Sequence, residues 1–558
     1  MRLARTPRTT YLTALAIAGS AHAVGDRMEL PLDPVPWPEW VHHHWVWENE
    51  GTRESATALV RDYLDRGVPV GALIIDSPWE TGYNSFEFDE ELYPNPREMV
   101  DEIHGLDVRV LLWITSMINI DSPNYQYAFD QGYFLNEGAT VEWWKGEGSF
   151  IDYTNPEALD YWHGLMDGVL DLGIDGWKTD GAEFYTILLG VPRGYGGVLR
   201  PRQYADLYYR DFFYHTRQKL GRDRVIMSRP VDSVDGVLHW SFSPHDVLMA
   251  GWVGDQDPTF KGLRVALGNL FHSAWRNYVN IGSDIGGFRT DNSELGRTKE
   301  LLIRWAQMGA LMPLMENGGG GEHRPWIFDQ ETLDIYRDYV LLHHSLVPYL
   351  MTEGARAWEK GDGVVEPLIG TWDYRLGKDL FVAPIVMKGS QRWIRFPLLG
   401  HWIDWWTGER HKGGALIRRE VPLEEIPLYQ REGSIIPLQA VSRLPGLGTI
   451  PAPEGADVFL VARPGESGIA RIREFEGPGR IGRYEATEDG WVFRAAPHDQ
   501  PAVWALRGLK RDALVLRDAN AERGPRVAWR WVGETLWIDA PPGRDVRIRG
   551  EVKKGQKG

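Results

Sequence analysis

The chain has no cysteine among its 558 residues. It therefore forms no disulfide bond, no thiolate metal site and no cysteine nucleophile, although an exported protein need not contain disulfides. Positive charge is also scarce, because 61 Lys and Arg stand against 78 Asp and Glu, a formal net charge of −17. This balance argues against nucleic acid and against an anionic membrane surface as partners.

Long apolar runs are missing after the N-terminus, so we predict no membrane span. Residues 1–23 have the pattern of an export signal, in which three arginines precede a short apolar stretch that ends in Ala21-His22-Ala23. A basic region, an apolar region too short for a bilayer and an A-x-A site are typical of a cleaved signal peptide. We therefore expect cleavage after Ala23 and a periplasmic or secreted protein.

Aromatic residues are abundant, with 26 Trp and an aromatic content of 12%. Flat apolar rings suit the faces of sugar rings, but most Trp side chains in a large protein fill core volume. The Trp content is therefore a mild indication of a carbohydrate ligand.

The order of apolar segments predicts the fold. Between residues 35 and 355, eight strand-like runs alternate with amphipathic helical segments, which indicates an α/β fold closed into a (β/α)8 TIM barrel. A segment from 116 to 153 has no simple period and is predicted to be a loop insertion. From residue 356 onward, short β-like runs and Gly/Pro turns predict two all-β sandwich domains, at 356–445 and 455–550.

Barrel enzymes carry their chemistry at the C-terminal ends of the strands. Seven predicted strands end in a charged or aromatic residue: Asp76, Trp113, Asp180, Arg229, Asp255, Asp284 and Glu316. A mouth lined with acids suits either a hard divalent metal such as Mg²⁺ or a glycosidic bond, which needs two carboxylates. The Trp content, Arg229 and the export signal favour the sugar.

Lys178 precedes Asp180 by two residues, so both side chains point to the same side of their strand. A cation in this position is expected to hold the carboxylate ionised, as a covalent carboxylate nucleophile requires. The alternative interpretation is a structural salt bridge at the end of a strand.

His42 and His44 suggest a metal site, but residues in a strand alternate faces, so at most these two of the three consecutive histidines converge. Zinc needs three or four ligands. The pattern therefore favours aromatic lining of the barrel, and we predict no metal and no other cofactor.

Several motifs in a fixed order make the chain resemble glycoside hydrolase family 31, whose members are retaining enzymes that act on α-glycosides. The segments that carry the likeness are FIDYTNP at 150–156, WKTDGAE at 177–183, WVGD at 252–255, IGSDIGGF at 281–288, GHWIDWWTG at 400–408 and the stretch 426–437. The likeness covers roughly residues 40–440.

The resemblance implies Asp180 as the nucleophile and Asp255 as the general acid/base. Asp180 would attack the anomeric carbon while Asp255 protonates the departing oxygen, and Asp255 would then activate water. Because Asp255 must start protonated, we expect it in a less cation-rich and more apolar place than Asp180, with Trp252 beside it. Asp257 is the reserve candidate for the acid. The predicted substrate-binding residues are Asp76, Trp113, Lys178, Arg229, Trp252, Asp284, Glu316 and His323.

Two features depart from the family pattern. The family usually has a β-sandwich domain before the barrel, whereas here fewer than 20 residues separate the predicted cleavage site from the first strand. We expect either a short architecture or a wall supplied by another chain.

After the eighth strand the family commonly has an R-x-H motif that contacts the sugar, but residues 315–326 read MENGGGGEHRPW. We hypothesise that Glu316, or His323 and Arg324, replaces those contacts; the alternative is a loop that makes none.

The leading prediction is an exported exo-α-glycosidase that binds an oligosaccharide or glycoside, with an α-glucoside or α-xyloside as the first substrate and an α-galactoside or an acidic sugar as the alternative. Hydrolysis and glycosyl transfer use the same two carboxylates, so the motifs do not separate them. A non-catalytic carbohydrate-binding barrel is a third possibility, although it would not need both Asp180 and Asp255. No oligomeric state follows from the sequence.

Overall fold

The computed structural model of the protein describes residues 29–181, 187–234, 237–239, 243–497, 501–509, 514–516, 527–542 and 545–550. The predicted export signal at 1–23 and the end of the WKTDGAE motif at Glu183 lie outside these residues. Of the helices that are described, none has the length and apolar character needed to cross a bilayer.

Eight parallel strands form the central sheet, and their spatial order follows the chain. Their bounds are His44–Glu48 (β1), Ala72–Ile75 (β2), Arg109–Ile114 (β3), Gly176–Thr179 (β4), Val225–Ser228 (β5), Leu248–Val253 (β6), Ile281–Ser283 (β7) and Met315–Asn317 (β8). Strand β8 pairs with β1, and a parallel bridge between Asp284 and Glu316 joins the end of β7 to β8. This bridge closes the sheet, and the predicted barrel is confirmed.

Helices pack around the sheet. The longer ones are Arg53–Asp65 (α1), Pro96–His104 (α2), Pro156–Leu170 (α3), Pro201–Leu220 (α4), Phe260–Trp275 (α5), Lys299–Gly309 (α6), Gln330–Ser345 (α7) and Val347–Lys360 (α8). Short helices or 3₁₀ turns lie at Glu39–His42, Tyr125–Asp130, Leu135–Gly138, Ile187–Leu189 and Pro325–Phe328.

The connection between β5 and β6 differs from the expected strand-then-helix unit. Its described residues form a hairpin of Asp232–Val234 and Val237–His239 instead of a helix. The sequence supplies a local reason, because Asp235-Gly236 between valines is a strong signal for a tight hairpin turn.

The long insertion between β3 and α3 contains a small sheet. Its three antiparallel strands are Met117–Asn119, Gly146–Phe150 and Val141–Trp143. The turn between the last two strands carries Trp144 and Lys145. Both residues therefore come to lie at the C-terminal end of the barrel strands.

Sheets make up the rest of the described chain, as predicted. A six-stranded sheet has the order Val365–Pro367, Tyr374–Leu376, Leu380–Val382, Leu428–Arg431, His401–Asp404 and Arg410–Lys412, with a separate hairpin of Gln391–Arg395 and Leu416–Glu420. Two five-stranded sheets follow, one of Ile435–Gln439, Asp457–Ala462, Ala502–Arg507, Thr535–Ala540 and Trp529–Val532, the other of Ser467–Ile472, Arg480–Thr487, Gly490–Ala496, Val546–Gly550 and Leu514–Leu516. Two-residue strands pair at Arg193–Gly194 with Gly197–Val198 and at Arg443–Leu444 with Gly448–Thr449. Ile435–Gln439 lies within the range 356–445 predicted for the first sandwich, but it pairs with Asp457–Ala462 in a distal sheet.

Candidate active site

A cavity of about 260 Å³ opens at the C-terminal end of the barrel. It brings together eight of the predicted residues, Asp76, Trp113, Lys178, Asp180, Arg229, Trp252, Asp255 and Asp284. These residues are distant in the chain, and they meet because the ends of parallel barrel strands share one face. The volume is small for a ligand pocket, for which roughly 300–1,000 Å³ is usual, so it suits a ligand about as large as one sugar ring.

The guanidinium group of Arg229 organises the centre of the cavity. Its Nε donates to Asp180 Oδ1 at 2.8 Å, and its Nη2 donates to Asp255 Oδ2 at 2.7 Å. Its Nη1 donates to Asp232 Oδ2 at 2.5 Å. The flat group also lies over the ring of Trp252, 4.6 Å from the ring centroid. One buried cation therefore fixes three carboxylates in space.

Asp180 is held ionised by its surroundings. Its Oδ1 also accepts the N–H of Gly181 at 2.7 Å, and its Oδ2 accepts Trp113 Nε1 at 3.2 Å. Burial acts to raise the pKa of Asp180, but the charge and hydrogen bond of Arg229 outweigh it and hold this pKa below its ordinary value. The N–H of Gly181 and the charge of Lys178 act in the same direction.

Lys178 has a different partner from the one expected. Its Nζ donates to Asp76 Oδ2 at 2.8 Å and lies 3.6 Å from the ring centroid of Trp47. The charge of Lys178 does lower the pKa of Asp180, as the sequence predicts, but Lys178 is not the main cation at this carboxylate. Arg229 has the main part, because the long Lys178 side chain reaches across to the end of β2 and forms its ion pair there.

The predicted contrast between the two catalytic candidates is not seen in their hydrogen bonds to Arg229, although the charge of Lys178 acts on Asp180 as well. Asp255 was expected in a less cation-rich place than Asp180, yet both accept hydrogen bonds from the same Arg229. The backbone of Asp255 has a φ of +64°, in the left-handed region, and its N–H donates to Asp284 Oδ2 at 3.2 Å. This turn at the end of β6 swings the Asp255 side chain toward the guanidinium. The ring of Trp252 lies against the guanidinium of Arg229.

Two of the predicted sugar-binding residues do not line the cavity. Glu316 is fully buried behind Trp47, and its Oε2 accepts Trp47 Nε1 at 2.9 Å. His323 is also buried, and its Nε2 accepts Arg297 Nη1 at 2.6 Å. The first glycine of the loop, Gly318, packs so closely on Trp47 that a Cβ there would lie 2.4 Å from its ring. Any effect of Glu316 on a sugar must therefore pass through its neighbours.

Asp257, the reserve candidate for the acid, and Arg324, a predicted sugar contact, lie away from the centre of the cavity. The Asp257 side chain is 61% exposed and pairs with Arg289 Nη1 at 3.4 Å, at the rim. Arg324 pairs with Glu322 at 2.7 Å on the far side of the glycine-rich loop. Neither residue lines the cavity.

The structure adds wall residues that the pattern of strand ends did not single out. These are Trp47, Asn49, Ser77, Trp144, Lys145, Gly181, Phe288 and Arg289. Phe288 closes the IGSDIGGF motif and was within reach of the sequence argument. Trp144 and Lys145 could not be predicted from the sequence, because they lie in the insertion. Its sequence has no period that would relate a chain position to a face of the barrel.

The histidines near β1 are bound to protein groups. His42 Nε2 accepts Trp37 Nε1 at 2.9 Å, and His44 Nε2 lies 2.8 Å from Tyr336 Oη. Burial lowers the pKa of both to about 4, so both rings are neutral near pH 7. Across the described ranges, no three His, Asp or Glu side chains are grouped as a metal ion would require.

A (β/α)8 barrel whose mouth holds two carboxylates on one arginine, surrounded by Trp, defines a barrel of the glycoside hydrolase type. The model of the glycosyl hydrolases family 31 TIM-barrel domain matches residues 34–353. That of the glycosyl hydrolase family 31 C-terminal domain matches residues 369–436. The chain belongs to glycosyl hydrolase family 31.

Relatives of known activity lie in the same family. The chain is 25% identical over 434 residues to an α-xylosidase of Emericella nidulans, an alignment that covers 73% of this chain and 54% of that protein. It is also 25% identical over 443 residues to α-glucosidase 2 of Bacillus thermoamyloliquefaciens, covering 74% of this chain and 54% of that protein. The chain thus spans about half the length of these curated relatives.

Solved structures show the same fold. A variant of the family 31 dextranase of Flavobacterium johnsoniae, complexed with isomaltotriose, superposes with a TM-score of 0.78. The sequences are 18% identical, and the superposition covers 93% of this chain and 71% of the dextranase. At this identity the likeness concerns the fold alone.

Proposed function

We propose that the protein is a retaining exo-α-glycosidase with Asp180 as the nucleophile and Asp255 as the general acid/base. The observation that carries this proposal is the guanidinium of Arg229, which binds Asp180 and Asp255 through two of its nitrogens. Carboxylates held by one such group lie close together. Retaining enzymes have their two carboxyl groups about 5–5.5 Å apart, whereas inverting enzymes need roughly 6.5–9.5 Å to admit a water.

The reaction follows from these positions. Asp180 attacks the anomeric carbon, the glycosidic bond breaks, and the proton of Asp255 goes to the departing oxygen. A water then gives its proton to Asp255 as its oxygen bonds to the anomeric carbon and the ester to Asp180 breaks. In the free enzyme Asp255 Oδ2 is engaged by Arg229, so this ion pair has to open, and Asp255 has to take up a proton from the solvent, before it can protonate the glycosidic oxygen. No metal or organic cofactor is needed for these steps.

The cavity favours cleavage at the end of a chain. Lys178 and Asp76 form a buried ion pair on its wall, Lys178 lies against Trp47, and the volume has room for about one sugar ring, so we infer that one terminal sugar is bound. The matched relatives, an α-xylosidase and an α-glucosidase, support an α-xyloside or α-glucoside as the substrate. An α-galactoside, an acidic sugar or transfer to a second sugar are the alternatives. The pattern of residues 1–23 supports export to the periplasm or medium.

A panel of aryl α-glycosides, followed by proton NMR of the first product, tests the proposed function. We expect cleavage of an α-xyloside or α-glucoside with the α-anomer appearing first, because two displacements at the anomeric carbon restore its configuration. The matching aryl β-glycosides are the control and should stay intact. A β-anomer as the first product would show inversion, and no cleavage of any α-glycoside would remove the proposal.

Trp144 is expected to support the leaving group. It lines the cavity at the rim and is 49% exposed, and its ring packs edge-on against Trp143 at 4.8 Å. An exposed aromatic face beside the scissile bond suits the ring of a second sugar. Replacing Trp144 with alanine should lower kcat/KM for a disaccharide about threefold to tenfold. An α-glycosyl fluoride, which has no leaving-group ring, should be cleaved at the normal rate.

Trp275→Ala is the matched control for this change. Trp275 is also exposed, at 55%, but it ends α5 and does not line the cavity. If Trp144→Ala lowered kcat/KM equally for the disaccharide and the fluoride, Trp144 would support the site in general and not the leaving group.

A further inference from the structure

The bridge that closes the barrel brings two carboxyl groups together. Asp284 follows β7 and is 1% exposed, and Glu316 in β8 is fully buried. Asp284 Oδ1 and Glu316 Oε1 accept no hydrogen bond from any N–H or hydroxyl of the described residues. The parallel bridge pairs the two residues on neighbouring strands, so their side chains point to the same side of the sheet, and each carboxyl group acts on the pKa of the other.

The other oxygen of each carboxyl group is already engaged. Asp284 Oδ2 accepts the backbone N–H of Asp255 at 3.2 Å, and Glu316 Oε2 accepts Trp47 Nε1 at 2.9 Å. Burying a carboxylate oxygen without a donor is costly, and two facing each other would also repel. A carboxylic acid, in contrast, has one O–H that it can donate. A single proton between the two groups therefore satisfies both remaining oxygens.

We propose that Asp284 and Glu316 share one proton, carried by Asp284 and donated to Glu316, and that Glu316 in this way positions Asp255 for the proposed reaction. The inference rests on the proposed function for its catalytic consequence but not for the proton itself. Glu316 is a positioning residue, because it touches neither the cavity nor the reacting atoms.

The electrostatics agree with this arrangement. Burial, and then the nearby charge of Glu316, raises the pKa of Asp284 well above its ordinary value. Burial also raises the pKa of Glu316, although the charge of Lys178 opposes the shift. One shared proton leaves one negative charge on the pair, which Lys178 can balance. The titratable and charged groups that face the pair are Asp76, Lys178, Asp255, Arg297 and Tyr336.

The pair matters for catalysis because it holds a strained backbone. Asp255 has a positive φ, which is costly for a residue with a side chain, and its N–H is bound by Asp284 Oδ2. The preceding Gly254 is packed so tightly that a Cβ there would lie 2.6 Å from the same oxygen. When rising pH removes the shared proton, the two carboxylates repel and Asp284 shifts. Asp255 then loses the acceptor that fixes its position.

Glu316→Gln tests the proposal. The glutamine oxygen can accept from Trp47 and its NH₂ group can donate to Asp284, so Asp284 no longer needs a proton. Infrared difference spectra of wild type minus variant at neutral pH should show the loss of one protonated carboxyl band. This measurement needs no substrate, so it gives a result even if no α-glycoside is cleaved. An unchanged protonated carboxyl signal would overturn the proposal.

The catalytic consequence is measured as kcat on an α-glycosyl fluoride, a fast-leaving substrate for which the attack of water, with Asp255 as base, is expected to limit turnover. Wild-type kcat should fall at alkaline pH as the shared proton is lost and Asp255 is displaced, and Glu316→Gln should lack this fall. Asp257→Asn, which removes an exposed carboxylate near the rim, is the control and should keep the wild-type profile. The same alkaline fall in Glu316→Gln and wild type would refute the positioning role.

Should Glu316→Gln fail to fold, Asp284→Asn serves for the infrared test, because its NH₂ group replaces the donated O–H. The protonated carboxyl band must be lost in that variant as well.

Discussion

Replacing Asp180 with asparagine is expected to lower kcat on the best substrate by about 10⁴-fold or more, the scale of loss seen when a nucleophile is removed. Asparagine has nearly the shape of aspartate, and its oxygen can still accept from Arg229 and Gly181. It has no charge with which to attack the anomeric carbon. The loss should therefore appear in kcat with the melting temperature nearly unchanged.

Two measurements separate a lost nucleophile from a disturbed site. With a fluorinated glycosyl fluoride, mass spectrometry should detect a covalent adduct on wild type and none on Asp180→Asn. With Asp180→Ala, added azide should restore cleavage and yield a glycosyl azide of inverted configuration. Asp257→Asn removes a carboxylate at the rim and should retain wild-type kcat. A wild-type kcat in Asp180→Asn would exclude Asp180 as the nucleophile.

The main part of the cavity could be predicted from the order of residues along the chain. In a barrel of parallel strands, all C-terminal ends meet on one face, so Asp76, Asp180 and Asp284 had to lie close together once the strands were identified. A period of two and the position where each apolar run ends are enough for this prediction, and no side-chain contact has to be known.

The contacts within the cavity could not be predicted in this way. Spacing along β4 puts Lys178 and Asp180 on the same side, but it does not reveal that Lys178 extends to Asp76 or that Arg229 divides its nitrogens between Asp180 and Asp255. These pairings depend on which strands are neighbours and on how far a long side chain reaches. A sequence position also cannot show that the turn after β6 brings Asp255 toward a cation.

Glu316 shows that the end of a strand does not predict whether a side chain reaches the cavity. The pattern placed it among the residues of the mouth, and it does lie at the level of Asp284. Its side chain, however, is covered by Trp47 and faces the neighbouring carboxyl group instead of the cavity. A strand end predicts height in the barrel well, but which side chain is covered depends on the bulk of neighbouring residues.

Asp255→Asn should reduce activity to an extent that depends on the leaving group. A disaccharide leaves as a strongly basic alkoxide that needs a proton, so kcat/KM should fall by about 10²–10⁴-fold, as for the loss of a general acid. An α-glycosyl fluoride leaves without help, so its kcat/KM should change little. Asparagine can still accept from Arg229, which keeps the Asp180 side of the site in place.

The decisive quantity is the ratio of the loss in kcat/KM on the disaccharide to the loss in kcat/KM on the fluoride. Both values are measured on the same preparation of the variant. Wild type and Asp257→Asn should show no such dependence on the leaving group, which excludes Asp257 as the acid. An equal loss on disaccharide and fluoride would mean that Asp255 acts by holding Arg229 and not by giving a proton. The structure makes these two roles distinguishable because only proton donation depends on the basicity of the departing oxygen, whereas the ion pair with Arg229 forms before any substrate binds.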